Sequence, residues 1–326
     1  MSGRSRPVLR TRPGDIRGSE DDPPHITKVM CEAALIGPQE KMVCGAVPLR
    51  VLSWELEGNA PAVATTDVQA TLVLLHGLGD GADIWRPVLD DWPTPNPILR
   101  VLALDLPGHG GSGRLTAGRY QIGTLAQIVA AALDHLSIDR PVLIGHSLGA
   151  QVALDLAGRE LTRPRATVLI DYNPDADDHV DAAVGAHIDA LTIGTTNIES
   201  LINLVQDRVP LADAQATRVA IGAMARATKS GWHVPLDPAV KEMLSRSDDG
   251  QANWALLRSI QGPVGIVRGE YSSVLLKKVA IRMAAMTRYP APIETIARSG
   301  HAIPLEQPAA LAASLQRHLK RFTQGL

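Results

Sequence analysis

From residue 71 onward, short aliphatic runs alternate with stretches of helical spacing, and this alternation restricts the fold more than any other feature of the chain. Runs that are apolar throughout suit parallel strands that are covered on both faces. The strand-like runs are Thr71–Leu75, Ile98–Leu104, Pro141–Ile144, Ala166–Ile170, Val264–Val267 and Pro292–Ile296. The helical stretches are Ile84–Trp92, Gln121–Leu136, Ser147–Arg159, Ser273–Met286 and Leu305–Phe322. The pattern predicts an α/β fold with a mostly parallel, doubly wound sheet.

The N-terminal part of the chain lies outside this alternation. Residues 1–26 are rich in Arg, Pro, Gly and Asp and have little to bury, so we expect residues 1–40 to form a disordered or loosely attached arm. Residues 41–57 hold two apolar runs around Gly45 and Pro48, which predicts a β-hairpin.

Residues 175–250 interrupt the alternation a second time. No strand is predicted there, and the segments with helical spacing are Val180–Leu191, Ile198–Val209, Ala212–Ala227 and Pro238–Ser245. Insertions at the carboxyl ends of strands lie where such sheets bind ligands. We therefore expect an all-helical lid inserted after the sixth strand, with the core formed by residues 41–174 and 251–326.

The composition argues against several classes of protein. The formal net charge of -2 at pH 7 provides no long-range attraction to nucleic acid or to an anionic membrane. No stretch reaches the ~18 uncharged apolar residues of a membrane-spanning helix, and no secretory signal is recognisable. Two cysteines, Cys31 and Cys44, are too few for a disulfide framework and suit a reducing compartment. These features predict a cytoplasmic protein whose partner is a small molecule.

A serine flanked by glycines is the strongest candidate for chemistry. The motif GHSLG at residues 145–149 directly follows an apolar run and precedes a helical stretch. Gly145 and Gly149 allow a tight strand-to-helix turn, which would hold the hydroxyl of Ser147 above the sheet. The backbone N–H of Leu148 would then face the place where an oxyanion forms.

Further motifs lie in loops that follow predicted strands. In HGLGD, which begins at His76, the backbone N–H of Leu78 is the predicted second oxyanion donor, because glycines let a carbonyl approach the main chain closely. DLPGHGGS contains His109, and SGHAIPLEQP places His301 between the last strand and the last helix. We interpret His76, His109 and His146 as residues that shape these loops rather than act in catalysis.

With these motifs, the chain closely resembles the α/β-hydrolase family. HGLG, DLPGHGGSG, GHSLG and GHAIPLEQP stand in family order and at family-like separations, and the resemblance covers residues 41–322. It implies the α/β-hydrolase fold with a lid, Ser147 as nucleophile and His301 as general base. It also implies the N–H groups of Leu78 and Leu148 as oxyanion donors. The substrate is much less specified, because this fold hosts many chemistries.

The carboxylate of the implied triad is where the chain departs from the family pattern. Family members usually place an aspartate a few residues after the seventh strand, but here Ser272 or Ser273 holds that place. Glu270 stands nearby, and Asp171 closes the sixth strand, a place that some members use. Both carboxylates keep the chain order Ser, acid, His. We favour Asp171, which a rigid turn containing Pro174 would hold, and keep Glu270 as the alternative.

These residues and the family resemblance predict an esterase or thioesterase that cleaves a small aliphatic acyl substrate through an acyl-enzyme on Ser147. The same triad would serve acyl transfer, C–C bond hydrolysis or perhydrolysis, which the sequence does not separate. A ligand-binding protein with little turnover is the alternative from another class, and the missing aspartate after the seventh strand favours it. No cluster has metal-ligand spacing, and HGLGDG lacks the Lys-Ser/Thr of a phosphate loop, so no metal or other cofactor is expected.

Overall fold

An eight-stranded sheet forms the centre of this computed structural model, which describes residues 35–56, 70–92, 98–175, 178–244 and 250–324. In chain order the strands are β1 (Leu35–Val43), β2 (Leu49–Leu56), β3 (Ala70–Leu75), β4 (Ile98–Leu104), β5 (Val142–His146), β6 (Ala166–Ile170), β7 (Arg226–Thr228), β8 (Gly231–His233), β9 (Val264–Gly269) and β10 (Ile293–Ile296). The large sheet has the order β1-β2-β4-β3-β5-β6-β9-β10, and β7 and β8 form a separate two-stranded sheet.

Most neighbours in the large sheet are parallel. The pairs β3–β4, β3–β5, β5–β6, β6–β9 and β9–β10 are parallel, whereas β1–β2 and β2–β4 are antiparallel. From β3 in the middle of the sheet, β4 lies on one side and β5, β6, β9 and β10 follow on the other, which confirms the predicted doubly wound fold. The antiparallel pair β1–β2 confirms the predicted N-terminal hairpin. The carboxyl ends of β3, β5, β6 and β9 meet at one edge, where ligands bind in sheets of this kind.

Helices cover both faces of the sheet. They are α1 (Arg86–Asp90), α2 (Ile122–His135), α3 (Leu148–Gly158), α4 (Asp178–Ile193), α5 (Ile198–Arg208), α6 (Ala214–Met224), α7 (Gln251–Ser259), α8 (Lys277–Met286), α9 (Ile303–Glu306) and α10 (Pro308–Gln324). Alternate residues of β3 enter two separate cores: Val73 and Leu75 lie in one, and Leu72 and Leu74 lie in the other. Two-sided burial explains why the strands are apolar throughout. Within the part of the chain that the structure describes, no helix is long and apolar enough to cross a bilayer.

Strand β1 begins at Leu35, so the predicted boundary of the arm is wrong for residues 35–40, which pair with β2. The sequence pattern hides this strand because Gly37 and Pro38 interrupt it, and the pairing register shifts at that point. An edge strand tolerates proline, since one side of its backbone has no neighbouring strand. The rest of the predicted arm, residues 1–34, lies outside the described residues.

The insertion between β6 and β9 contains α4, α5, α6 and a 3-10 helix at Pro238–Met243, which match the four segments predicted to be helical. The expectation that it is all helical is wrong, because β7 and β8 form a short antiparallel hairpin after α6. Each strand has three residues and β7 is exposed, so no apolar alternation reveals it. Helix α7 is also missing from the prediction. Its buried residues are Trp254 and Leu257, and two apolar positions are too few to produce a clear helical period.

The predicted C-terminal helix is divided into α9 and α10 at Gln307. The residue before a proline is driven away from helical backbone, and Gln307, which precedes Pro308, has φ -145. The short helix α9 follows the His301 loop directly and brings Glu306 back toward that loop.

Candidate active site

Ser147 occupies a strained turn between β5 and α3. Its backbone has φ 51 and ψ -117, a conformation that residues other than glycine rarely adopt. The flanking glycines explain why the turn is possible: a Cβ on Gly145 would overlap the backbone of Gly149, and a Cβ on Gly149 would overlap the carbonyl of Leu75. The Ser147 N–H donates to the carbonyl of Ile170 at 2.9 Å, which ties the turn to the neighbouring strand. The structure thus places Ser147 at the predicted strand-to-helix elbow.

A continuous line of hydrogen bonds joins Ser147, His301 and Asp171. His301 Nδ1 lies 2.7 Å from Asp171 Oδ2, and His301 Nε2 lies 3.1 Å from Ser147 Oγ. An ionised carboxylate can only accept, so Nδ1 carries the proton and Nε2 is free to accept the serine hydroxyl proton. The three side chains come from the ends of β5 and β6 and from the loop after β10, and they have the arrangement that nucleophilic acyl chemistry needs.

Asp171 is held firmly at the carboxyl end of β6. It is fully buried and has φ 47, and its backbone N–H donates to the Val267 carbonyl at 2.8 Å. Its Oδ1 accepts from the Gly269 N–H at 3.0 Å, and its Oδ2 accepts from the Ser272 hydroxyl at 2.5 Å. These bonds fix the orientation of the carboxylate toward the histidine ring.

Glu270, the alternative acid, points elsewhere. Its side chain is exposed, and its Oε2 accepts from the backbone N–H of Arg298 at 2.8 Å. Of the two carboxylates weighed from the sequence, the structure therefore brings Asp171 to His301 and leaves Glu270 at the surface.

Several charges act on His301. Burial alone would lower the pKa of His301, but the hydrogen bond and charge of Asp171, together with the charges of Asp80 and Glu306, raise it above its ordinary value. Neither Asp80 nor Glu306 is among the site residues predicted from the sequence. Asp80 directly follows the HGLG motif, and this position was the signal in the sequence that could have identified it as a site residue. Burial raises the pKa of Asp80 to about 6, opposed by the nearby His301.

Glu306 has a structural contact as well as a charge. Its Oε2 accepts from the backbone N–H of Gly300 at 2.5 Å and so braces the loop that carries His301. Burial also raises the pKa of Glu306 above its ordinary value.

His76 and His109 shape the loops that follow β3 and β4. His76 Nε2 accepts from the Leu106 N–H at 2.9 Å, and His109 Nε2 accepts from the Gly79 N–H at 3.2 Å. Burial lowers the pKa of His76 to about 4 and that of His109 to about 3, so both rings are neutral acceptors near neutral pH. Their contacts are those of loop-shaping residues.

His146 has a similar part beside the serine. Its Nε2 donates to the carbonyl of His301 at 2.8 Å, and the two ring centroids lie 4.9 Å apart. Burial, and then the charge of His301, lowers the pKa of His146 to about 3. His146 is thus a neutral donor that holds the backbone of the His301 loop.

One predicted oxyanion donor, Leu148, directly follows Ser147 in the chain, and the other, Leu78, lines the same cavity as Ser147. Leu148 is the first residue of α3, where backbone N–H groups have no acceptor within the helix. Leu78 lies in the turn that Asp80 N–H closes on the Gly77 carbonyl at 3.2 Å, and it lines the same cavity as Ser147. Their oxyanion role stays a prediction.

A cavity of about 830 Å³ opens beside Ser147 and His301. Much of its wall comes from apolar side chains of the insertion, namely Ala183, Val184, Ala186, Leu191, Val205, Val209, Pro210, Leu211, Ile221, Met224 and Val234. Polar side chains also reach it, including Asp80, His187, Arg208 and Glu306. Among the described residues, no group of three His, Cys, Asp or Glu side chains could hold a metal ion.

A larger cavity of about 1120 Å³ lies at the amino ends of the strands, lined by residues such as Arg140, Arg165, Pro263 and Pro292. It shares no residue with the cavity beside Ser147. Ser147 and His301 thus line the smaller cavity, at the carboxyl edge of the sheet.

Comparison with known proteins agrees with the observed fold. The model of the alpha/beta hydrolase family matches residues 72–314, which is more than half of the chain. Esterase Rv0045c from Mycobacterium tuberculosis is 25% identical over 288 residues, which cover 86% of this chain and 89% of the esterase.

Other similar proteins extend the comparison. The crystal structure of E-2-(acetamidomethylene)succinate hydrolase has a TM-score of 0.72 at 20% identity, covering 87% of this chain and 100% of that one. The acetyltransferase component of an acetoin cleaving system from Pseudomonas putida is 39% identical over 136 residues, which cover 41% of this chain. The chain covers 32% of that component, and 45% of another curated relative that it matches.

Proposed function

The chain belongs to the alpha/beta hydrolase family, and from this premise we propose that it is a serine hydrolase that cleaves an ester or thioester through an acyl-enzyme on Ser147. The observation that carries the proposal is the hydrogen-bonded line from Ser147 Oγ through His301 to the buried carboxylate of Asp171. A nucleophile, a base and an orienting acid within hydrogen-bond distance are the parts that acyl-enzyme chemistry requires.

The geometry supports a two-step reaction. The Ser147 hydroxyl attacks the acyl carbonyl carbon while His301 Nε2 takes its proton, and the N–H groups of Leu78 and Leu148 bind the oxyanion. The tetrahedral intermediate then expels the alcohol or thiol, which receives the proton from His301. Water attacks the acyl-enzyme with His301 again as base, and collapse releases the carboxylic acid and restores the serine. Asp171 holds the Nδ1–H tautomer and stabilises the imidazolium.

The cavity lining favours an aliphatic acyl group. Its volume of about 830 Å³ lies within the range of small-molecule sites, and the insertion supplies largely apolar side chains to it. We infer that the insertion acts as a lid that selects the acyl chain. Ile221 and Met224 of α6 lie against the cavity and are the residues through which chain length would be read.

The alternative of a ligand-binding protein loses its main support. It was favoured by the missing aspartate after β9, the seventh of the strands predicted from the sequence, but Asp171 reaches His301 from the end of β6 instead. The remaining alternatives, acyl transfer, C–C hydrolysis and perhydrolysis, use the same residues and differ in what attacks or leaves.

A panel of p-nitrophenyl esters and acyl thioesters of varied chain length tests the proposal directly. We expect hydrolysis by the wild type and a loss on the order of 10³-fold or more in kcat for Ser147→Ala, because triad members act as a unit. The matched control is Ser259→Ala, which removes a part-buried hydroxyl that bonds the Gly158 carbonyl, away from the cavity. Full activity in a folded Ser147→Ala protein would overturn the proposal.

A further inference from the structure

The hydroxyl of Ser272 stands between the buried acid and the loop that leads into α8. Its Oγ lies 2.5 Å from Asp171 Oδ2, the same oxygen that holds His301 Nδ1. The backbone N–H groups of Val274 and Leu275 lie 3.1 and 3.2 Å from the same Oγ. Ser272 is 5% exposed, so these contacts replace water.

The chemistry of the partners fixes the direction of every bond. The two backbone N–H groups can only donate, so they occupy the two lone pairs of the Ser272 oxygen. The single hydroxyl proton is then left for the carboxylate of Asp171, which accepts. A hydroxyl that accepts two hydrogen bonds is polarised and donates the third more strongly. The Ser272 hydroxyl thus makes all the hydrogen bonds that it can, and the one that it donates goes to Asp171.

The sheet explains why these residues meet. Strands β6 and β9 are parallel neighbours, so the residues that follow them converge at the same edge. Ser272 stands in the stretch after β9, where the family resemblance implies the acid. In this chain the acid comes from the end of β6, and the stretch after β9 supplies a hydroxyl that points at it.

We propose that Ser272 is a positioning residue that holds the Asp171 carboxylate and limits how strongly it draws the proton of His301. This inference rests on the proposed function, since it assigns Asp171 as the orienting acid. Ser272 acts through Asp171 and does not touch the reacting atoms. The hydrogen bond that Ser272 donates to Asp171 Oδ2 withdraws negative charge from the oxygen that faces the His301 ring. The partly positive hydroxyl proton of Ser272 also lies near that ring.

Removal of the Ser272 hydroxyl therefore has two consequences, one for the pKa of His301 and one for kcat. The carboxylate becomes a stronger partner for the imidazolium, so the pKa of His301 rises. The carboxylate also loses a bond that orients it, so kcat falls. The other titratable groups that face His301, namely Asp80, Glu306 and His146, are unchanged by the substitution.

The experiment measures the pKa of His301 directly, by NMR titration of protein labelled in its histidine rings, with His301→Gln used to assign the signal. The variants are Ser272→Ala, and Ser272→Cys, which is close in shape but a weak donor. Ser259→Ala is the control. We expect the pKa of His301 to rise by about 0.5 to 1 pH unit in Ser272→Ala and by less in Ser272→Cys. We also expect kcat to fall roughly 10-fold in Ser272→Ala, while Ser259→Ala changes neither quantity.

An unchanged pKa of His301 in either folded Ser272 variant would overturn the inference, as would an equal rise in Ser259→Ala. If Ser272→Ala does not fold, Ser272→Cys decides alone. The titration does not depend on turnover, so it separates this inference from the proposed function. A protein without esterase activity whose His301 still responds to Ser272 would contradict the function and leave the positioning contact standing.

Discussion

Asp171 Oδ2 lies 2.7 Å from His301 Nδ1, although 130 residues separate the two in the chain. The contact is possible because β6 ends beside β5, the strand that precedes Ser147, and the loop after β10 folds back across the same edge. Strand order therefore brings the two residues to the same edge of the sheet. This contact also ranks the two candidate acids.

Substitution of the acid should separate Asp171 from Glu270. We expect Asp171→Asn to lower kcat by up to about 10⁴-fold, because the histidine loses the support of its tautomer and of its imidazolium form. Glu270→Gln should have a small effect, since the Glu270 side chain is exposed and bonds to the Arg298 backbone. The measurement is steady-state hydrolysis of a p-nitrophenyl ester. The reverse ranking would transfer the role to Glu270, and two small losses would point to a Ser–His dyad.

The charge of Asp80 should set part of the pH dependence. Asp80 raises the pKa of His301, and His301 must be neutral to act as a base. Asp80→Asn removes this charge, so the pKa of His301 falls and the acid limb of kcat/KM moves to lower pH, by about 0.5 pH unit. Glu270→Gln is the matched control, because it removes an exposed carboxylate. A limb that stays in place, or moves to higher pH, would show that Asp80 does not act on the base.

The buried neutral histidines should make the fold sensitive to acid. The pKa values of His76, His109 and His146 are lowered to about 4, about 3 and about 3, whereas an unfolded histidine titrates near 6.5. As pH falls below that value, the unfolded chain binds protons that the folded chain does not, so stability is lost. Each such histidine contributes a slope of about 1.4 kcal/mol per pH unit.

Other groups act in the opposite sense, because their pKa values are raised in the folded protein, namely His301, Asp80, Glu306 and Asp90. The histidines with lowered pKa values, to which His187 and His318 also belong, outnumber these groups, so we expect the free energy of unfolding in urea to fall between about pH 7 and about pH 5. A constant or rising free energy over that interval would mean that these histidines are not buried as neutral rings.

Two glycines with opposite surroundings, Gly149 and Gly222, test the close backbone approach at the Ser147 turn. Gly149→Ala would place a methyl group on the Leu75 carbonyl, where backbone atoms cannot easily yield, so we expect a loss of about 3 kcal/mol or more and no activity. Gly222→Ala in α6 meets no atom within 4 Å and should gain about 1 kcal/mol from helix propensity. Thermal unfolding of both variants measures the contrast. Equal stability would contradict the close approach at the elbow.

Much of the site could be predicted because its parts are local. Gly145 and Gly149 around Ser147 specify a turn that few other residues permit, and a histidine after the last strand must lie at the carboxyl edge. The choice between Asp171 and Glu270 could not be settled in this way, because it depends on which side chain points inward after its strand ends. Nor does the sequence reveal that the hydroxyl of Ser272 would meet Asp171, since this contact joins residues that follow two neighbouring strands, β9 and β6.

The misses in the fold have a similar cause. The strand that begins at Leu35 contains Gly37 and Pro38, and only its partner β2 makes it a strand. The hairpin at Arg226–His233 is too short and too exposed to leave a periodic pattern. In both cases pairing with a neighbour outweighs local preference.

The most direct test of the central claim is covalent labelling with a fluorophosphonate probe, followed by mapping of the modified peptide by mass spectrometry. We expect one label per chain, on the peptide that contains Ser147, with loss of esterase activity in proportion to labelling. Labelling should be absent in Ser147→Ala, slow in Asp171→Asn and unchanged in Ser259→Ala. A label on another residue, or full esterase activity in protein whose Ser147 is completely modified, would contradict the assignment of Ser147 as the nucleophile.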